Sequence, residues 1–331
     1  MSKLMNPQQL HRESVIIDGL NASWFLSDAV IERIHQGGVT AVNATIAAWH
    51  NPADTLDMIG QMYRQVDKHS RIALLARSVS DIQAAKTTGK TGYILGFQDT
   101  NPIADKLYLL RVYHELGVRI IQLTYNFENL VGFGCQAPED RGLTEFGKDV
   151  VAEMNRLGIL IDLSHCGART TLDAIDRSEK PVAITHANAA SQFPHPRNKS
   201  DEALKACAAR GGVIGALSFP AMLTPSLPAT LDDYVNAIDY LVDMVGIDHV
   251  AIGADFMEEM PREVAEVVLS GLSLDVIAFM QSIPPVRDFA STADMPHVTA
   301  NLLERGYSTA DVQKIMGGNW LRLYGQTWES S

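Results

Sequence analysis

Two short apolar runs end on histidines: GILIDLSH closes on His165 and PVAITH on His186. A run of this length with punctuating residues on either side reads as a strand buried on both faces. Its end lies at the rim of a sheet or barrel, where active sites are built. A helix-like stretch separates the two runs, so they read as neighbouring parallel strands that aim two imidazoles at one point. Neutral imidazole ligates transition metals and moves protons. The same residues also read as hydrogen-bonded core histidines, and pattern leaves both readings open. Asp255 ends a third apolar run, AIGADF, as a general acid or base, a ligand, or a capping or paired structural aspartate. Arg197 sits in the Pro-rich loop FPHPRNKSD. There it is either a bidentate grip on a substrate carboxylate or a solvated loop arginine. Gln98 follows GYILGF and offers a carbonyl oxygen, a weak ligand beside a carboxylate. Tyr125 and Asn126 end RIIQLTYN. Tyr125 reads as a donor to a developing oxyanion or as a packed aromatic. Cys135 and Cys166 read as soft ligands or as inert thiols. Ser164 directly precedes His165, and adjacent residues on a strand face opposite sides, so the two do not form a nucleophile–base pair.

The elements that must position these groups alternate along the whole chain. Strand-like runs are expected at 14–20, 39–47, 72–78, 92–97, 119–125, 159–165, 182–186, 212–219 and 249–256. Helix-like stretches lie between them, notably 103–117 and 144–158; the latter opens on a Thr-x-x-Gly cap signal, and each ends on glycine. Repeated strand–helix units make a parallel sheet. Eight or more units without a linker predict an α/β fold closed as a (β/α)8 TIM barrel. A doubly wound sheet would carry a glycine-rich phosphate turn, and neither GxGxxG nor GxxxxGK[ST] is present. The reading is a single domain over 1–331, with an insertion at 257–294 and a C-terminal helix at 308–324 that turns Trp320 inward.

The 331 residues are 46% hydrophobic with a formal charge of −12. That is enough for a large core, and it lacks the basic footprint of a nucleic-acid or anionic-membrane binder. Three scattered cysteines do not make a disulfide framework or a zinc ribbon. With no apolar leader or membrane-length apolar run in the pattern, the expectation is a cytoplasmic protein acting on a small molecule.

Several separated motifs in order then resemble one family. The segments GLTEFGKDVVAEMNRLGILIDLSH (142–165), PVAITHAN (181–188), HPRNKSDE (195–202), AIGADF (251–256) and IMGGNWLR (315–322) are similar to those of the membrane dipeptidase (renal dipeptidase) family, peptidase family M19. The resemblance runs from about Ser14 to Trp320. It implies an amidohydrolase-like (β/α)8 barrel with two zinc ions at the C-terminal rim, hydrolysis of a dipeptide, and a homodimer. It implies His165 and His186 as ligands of one zinc, Asp255 as the acid serving the attacking water and the leaving amine, and Arg197 as the grip on the substrate carboxylate.

Three places depart from the family pattern. Where members read DGHND this chain reads DGLNA, putting Leu20 and Ala22 at two ligand positions. Gln98 stands at the bridging carboxylate, and Tyr125 at the histidine that stabilises the tetrahedral intermediate. Two cations need anionic ligands to offset their charge. The expectation is therefore one zinc at most, on His165 and His186 with help from Gln98, Asp255 or water, and with Tyr125, Asn126 and Arg197 contacting substrate. Two other readings stay open: a metal-free lyase or isomerase acting on an amino-acid derivative, and a non-catalytic protein that binds a small carboxylate.

Overall fold

Runs rich in Val, Ile and Ala become nine strands among the described residues, all paired in parallel. They are β1 Ile17–Asn21, β2 Ala41–Ala47, β3 Ala73–Leu75, β4 Thr91–Phe97, β5 Val118–Gln122, β6 Leu160–Asp162, β7 Ala183–Ile184, β8 Val213–Ala216 and β9 Val250–Ile252. The computed structural model describes residues 6–268, 275, 278 and 282–328. The pairing order is β1-β2-β4-β5-β6-β7-β8-β9, with β3 set beside β4. The two ends of this path meet. The Asp255 N–H donates to the Leu20 carbonyl (3.0 Å), and the Ala22 N–H donates to the Phe256 carbonyl (2.8 Å). These bonds close the eight-strand path as a (β/α)8 barrel, the expected fold.

Local chemistry sets the helix ends. The Thr144 hydroxyl accepts the Gly147 N–H and opens the helix Glu145–Leu157, which Gly158 ends in the left-handed region (φ 74°). The stretch expected as a helix over 103–117 is helical only at Leu109–Glu115. Its beginning is taken up by a 3-10 turn, Asn101–Ile103, and by Ala104 at φ 48°, a conformation that cannot propagate a helix. The C-terminal helix expected at 308–324 is two pieces, Thr309–Gln313 and Asn319–Trp328. They are joined through the Lys314–Gly318 turn, where Gly317 has φ 175° and packs so closely on the chain entering β1 that a Cβ would lie 2.4 Å from the Val15 carbonyl and 2.9 Å from the Ile17 nitrogen. The stretch 257–294 begins with the helix Arg262–Val268, and its residues 269–274, 276–277 and 279–281 lie outside the described residues. Among the described residues no helix is long and apolar enough to cross a membrane.

Trp320 plugs the N-terminal end of the barrel. It is fully buried against Ile17, Ile94, Ile120 and Val213, and its indole N–H donates to the Ile252 carbonyl (2.8 Å). Gly19 is required there, because a Cβ would meet the indole at 2.3 Å. Truncation of a large buried aromatic costs about 3–5 kcal/mol. Trp320→Ala is therefore expected to lower the unfolding free energy by about that much in a urea titration; a loss below about 1 kcal/mol would contradict the plug.

Asp18 secures the seam between β1 and β9. Its buried carboxylate accepts the Ala254 N–H (3.1 Å) and the Asn21 side-chain amide (3.1 Å). Burial nevertheless pushes its pKa up to about 7, from an ordinary 3.8. A carboxyl that holds its proton more tightly folded than unfolded stabilises fully below its unfolded pKa, and that contribution is lost as pH rises through the folded value. The difference in melting temperature, Asp18→Asn minus wild type, is therefore expected to become more positive between about pH 4 and pH 7 or above; a difference independent of pH would contradict this.

Candidate active site

The strands end before the histidines. β6 stops at Asp162 and β7 at Ile184, so His165 and His186 project from the first residues of the loops that follow. The apolar runs that suggested longer strands continue as buried loop, because the rim of the barrel is itself covered. Asp162 is paired with Ala183 across the two strands, which brings the imidazoles together as expected: His165 Nε2 lies 3.0 Å from His186 Nε2.

The far side of each ring decides what those two nitrogens carry. His165 Nδ1 lies 2.7 Å from Asn126 Oδ1, an acceptor, so Nδ1 holds the proton. His186 Nδ1 lies 2.8 Å from the Thr185 hydroxyl. That hydroxyl spends its only proton on Asp162 Oδ2 (2.7 Å), so it accepts from His186 Nδ1. The other Asp162 oxygen accepts the Ser164 hydroxyl (2.6 Å) and the Thr185 N–H (2.9 Å), which fixes the carboxylate. Burial, reinforced by the adjacent Arg197 charge, holds both imidazoles well below the usual histidine pKa, and hence neutral. Two neutral rings with both Nδ1 atoms protonated point two lone pairs at each other across 3.0 Å. A metal cation gives the lone pairs a common acceptor; tetrahedral zinc holds such nitrogens about 3.3 Å apart.

Beyond the two imidazoles the donor set is thin, and among the described residues it lacks the carboxylates a second ion would need. Leu20 is buried and Ala22 half-buried, and neither has a lone pair to give. Among the described residues no group of three or more His, Cys, Asp or Glu side chains is placed to hold a metal. Gln98 is 5% exposed; its amide nitrogen donates to the Thr45 hydroxyl (3.0 Å), which leaves Oε1 buried without a hydrogen-bond partner among the described residues. It is a neutral oxygen free to complete a coordination shell or to accept from a substrate.

The remaining expected residues surround this point. The Tyr125 ring stacks on His165 (centroids 3.9 Å apart) and takes the edge of Trp49 (4.3 Å). Burial, and then the Asp255 charge, push its phenol above the usual range, so it stays a donor. Asp255 sits three residues beyond β9 at φ 60°, an unusual conformation for a residue with a side chain, held by the barrel-closing bond to Leu20. Burial raises its carboxyl to about 7, while Arg197 opposes the shift. Arg197 is 2% exposed; its guanidinium donates to the Ser164 (2.7 Å) and His186 (2.8 Å) carbonyls and so ties the two histidine loops together. Asn126, expected among the substrate contacts, orients His165. Cys166 is buried with its thiol pushed up to about 11, as an inert thiol would be, and Cys135 Sγ lies 3.8 Å from Asn126 Oδ1.

Sequence reasoning missed Asp162, Thr185, Thr45 and Lys199. Lys199 is a buried cation whose ammonium donates to the Cys166 carbonyl (2.5 Å) and the Thr171 hydroxyl (3.1 Å). Thr185 adjoins His186, and Asp162 precedes His165 by three residues; a search for polar residues in otherwise apolar strand ends would have found both. Ala22, Gln98, Tyr125 and Asp255 line a cavity of about 250 Å³.

Known proteins share this architecture. The family model for membrane dipeptidase (peptidase family M19) matches residues 6–269. Dipeptidase tcpJ of Claviceps purpurea is 31% identical over 274 residues, 82% of this chain and 59% of that protein. Dipeptidase verJ of Clonostachys rogersoniana is 30% identical over 84% of this chain and 66% of that protein. The chain thus spans roughly 60% of the length of these curated relatives. An amidohydrolase from Pseudomonas aeruginosa superposes with a TM-score of 0.93 at 36% identity, covering 98% of this chain and 99% of that one. A Rhodobacter sphaeroides metallo peptidase, liganded with a phosphinate mimic of the dipeptide L-Ala-D-Ala, shares the fold at a TM-score of 0.80 and 20% identity, over 96% of this chain and 100% of that one.

Outer hydrogen bonds that fix a ligand's tautomer are worth about 10–100-fold in metal affinity. Thr185→Val is expected to weaken zinc binding by about that factor in a chelator competition; unchanged affinity would show that the Asp162–Thr185 pair does not set the His186 tautomer.

Proposed function

The chain belongs to the membrane dipeptidase family, peptidase family M19, and from that premise we propose that it is a hydrolase of a dipeptide or similar small carboxylate-bearing amide, working with at most one zinc ion. The observation that carries the proposal is the facing pair of imidazole lone pairs at 3.0 Å, with no carboxylate at Leu20, Ala22 or Gln98 for a second cation.

His165 and His186 would hold the ion, with water at its remaining positions. A single bound zinc supplies an activated water near neutral pH and polarises a carbonyl. The chain's own residues do the rest. Asp255, raised to about 7, is poised to take a proton from the attacking water and return it to the leaving amine. The Tyr125 hydroxyl keeps its proton and donates a hydrogen bond to the carbonyl oxygen as it gains charge. Asn126, through His165, holds one imidazole in place. Arg197 spends two of its donors on the histidine loops; its remaining N–H groups and its charge favour a substrate that ends in a carboxylate.

Chelator treatment separates this reading from its rivals. Dialysis of the full chain against EDTA is expected to abolish hydrolysis of a dipeptide panel that includes C-terminal D-residues, and added zinc to restore it. Turnover that persists without metal would favour the metal-free acid–base reading. Absence of turnover with zinc present, alongside tight binding of a small carboxylate, would favour the binding-protein reading. Either result overturns the proposal.

A further inference from the structure

The cavity of about 250 Å³ extends away from the histidines, over the ends of β1, β2 and β4. Its surface is mainly apolar, with Trp24, Phe25, Ile46, Met58, Met62 and Met257 among the lining residues. It opens beside Ala22, where the family pattern has a metal-binding carboxylate. Its polar lining includes Gln98, Tyr125 and Asp255, together with Ser23, Thr45 and His50. Arg197 is absent from the lining and is bonded instead to the histidine loops.

We propose that this cavity is the specificity pocket for the amino-side residue of the substrate. It takes a large apolar side chain, of aromatic size, while Gln98 Oε1 accepts a hydrogen bond from that residue's N–H. The proposal rests on the hydrolase reading for the direction of the substrate. If Arg197 receives the carboxylate end, the other end must lie toward Ala22 and Gln98. Size favours a ring, since an apolar cavity of about 150 Å³ already takes benzene. Chemistry favours it too: methionines adapt to irregular apolar groups and make favourable sulfur–aromatic contacts. The orphaned Gln98 oxygen gives a reason for an N–H donor rather than a pure hydrocarbon. It is 5% exposed, turned by its bond to Thr45, and lacks a partner among the described residues; an unmet buried acceptor is costly until a ligand satisfies it. The loss of the first-site ligands thus has a second consequence. Small apolar Ala22 leaves open to substrate a space that a metal-binding aspartate would fill and charge.

The wall is held from behind. Arg33 bridges Glu258 and Glu259 at 2.6 Å each, and the Glu258 N–H donates to the Ser23 hydroxyl (2.9 Å). These contacts pin the loop carrying Met257 against the loop after β1, so the pocket is preformed.

The test uses amines that contain no scissile bond, so binding is read independently of turnover. Calorimetric titration of the full chain is expected to show 2-phenylethylamine binding at least about 50-fold tighter than ethylamine, given about fourfold per buried methylene. Ala22→Trp, which fills the cavity, should bring the two amines to within about threefold of each other. Met257→Glu places a charge in the wall at an exposed position and should do the same, which covers the case in which Ala22→Trp fails to fold. Gln98→Met, which removes the acceptor at similar volume, should weaken phenylethylamine about tenfold. Equal affinity for the two amines in the wild type, or a preference unchanged in both wall variants, overturns the pocket. A dipeptide panel then separates the two readings. Aromatic-amine binding with no peptide cleaved leaves the pocket standing and removes the hydrolase. Cleavage of Gly-Ala and Phe-Ala at equal kcat/KM, with no amine bound, removes the pocket alone.

Discussion

Two imidazoles held with their Nε2 atoms 3.0 Å apart and their lone pairs converging is an arrangement that a protein must enforce. Left alone, His165 and His186 would rotate or share a proton. Here each outer nitrogen is committed, one to Asn126 and the other, through Thr185, to the Asp162 carboxylate. Burial first, and then the Arg197 charge, keep both rings unprotonated. Arg197 is buried on the carbonyls of Ser164 and His186, so protonation of either ring would add a second cation nearby in low dielectric. The pair is therefore kept neutral, with both Nε2 lone pairs free. The cost of a buried guanidinium is offset by its bonds to loop carbonyls and by the loops it orders.

The barrel supplies this geometry through a polar interior. Residues that face inward beneath the site, such as Asp18, Asn43, Gln122 and Asp162, are buried hydrogen-bonding groups rather than aliphatic side chains. Glycines make room for them: a Cβ at Gly96 would lie 2.0 Å from Asn43 Oδ1, and one at Gly253 would lie 1.8 Å from the Thr185 carbonyl. Hydrophobic sealing is left to the opposite end, where Trp320, Tyr324 and Trp328 stack in series. One end of the barrel is thus given to packing and the other to chemistry. The seam between β1 and β9, closed by Asp18 and the bond from Asp255 to Leu20, is where the two meet.

Much of this was legible in the sequence, for identifiable reasons. Alternating apolar runs and helix caps carry the barrel because the signals are local: Thr144 and Gly158 bound their helix as written. The convergence of His165 and His186 was readable from their place after consecutive strands. What escaped was non-local. Asn126 reaches His165 across 39 positions, and Gln98 is turned by Thr45 across 53. Arg197, legible as a cation near the site, also proves to brace the two histidine loops, which no spacing reveals. The break at Gly317 was hidden because its cause is the closeness of β1, at the other end of the chain.

On the proposed function, this chain keeps one half of a two-metal site and has turned the other half over to apolar contact. The most direct measurement is metal content by elemental analysis of the zinc-saturated full chain, run beside His186→Ala. The account predicts no more than one zinc per wild-type chain when saturated, and its loss in the variant. Two zinc ions per chain, or one that survives the loss of His186, would contradict it.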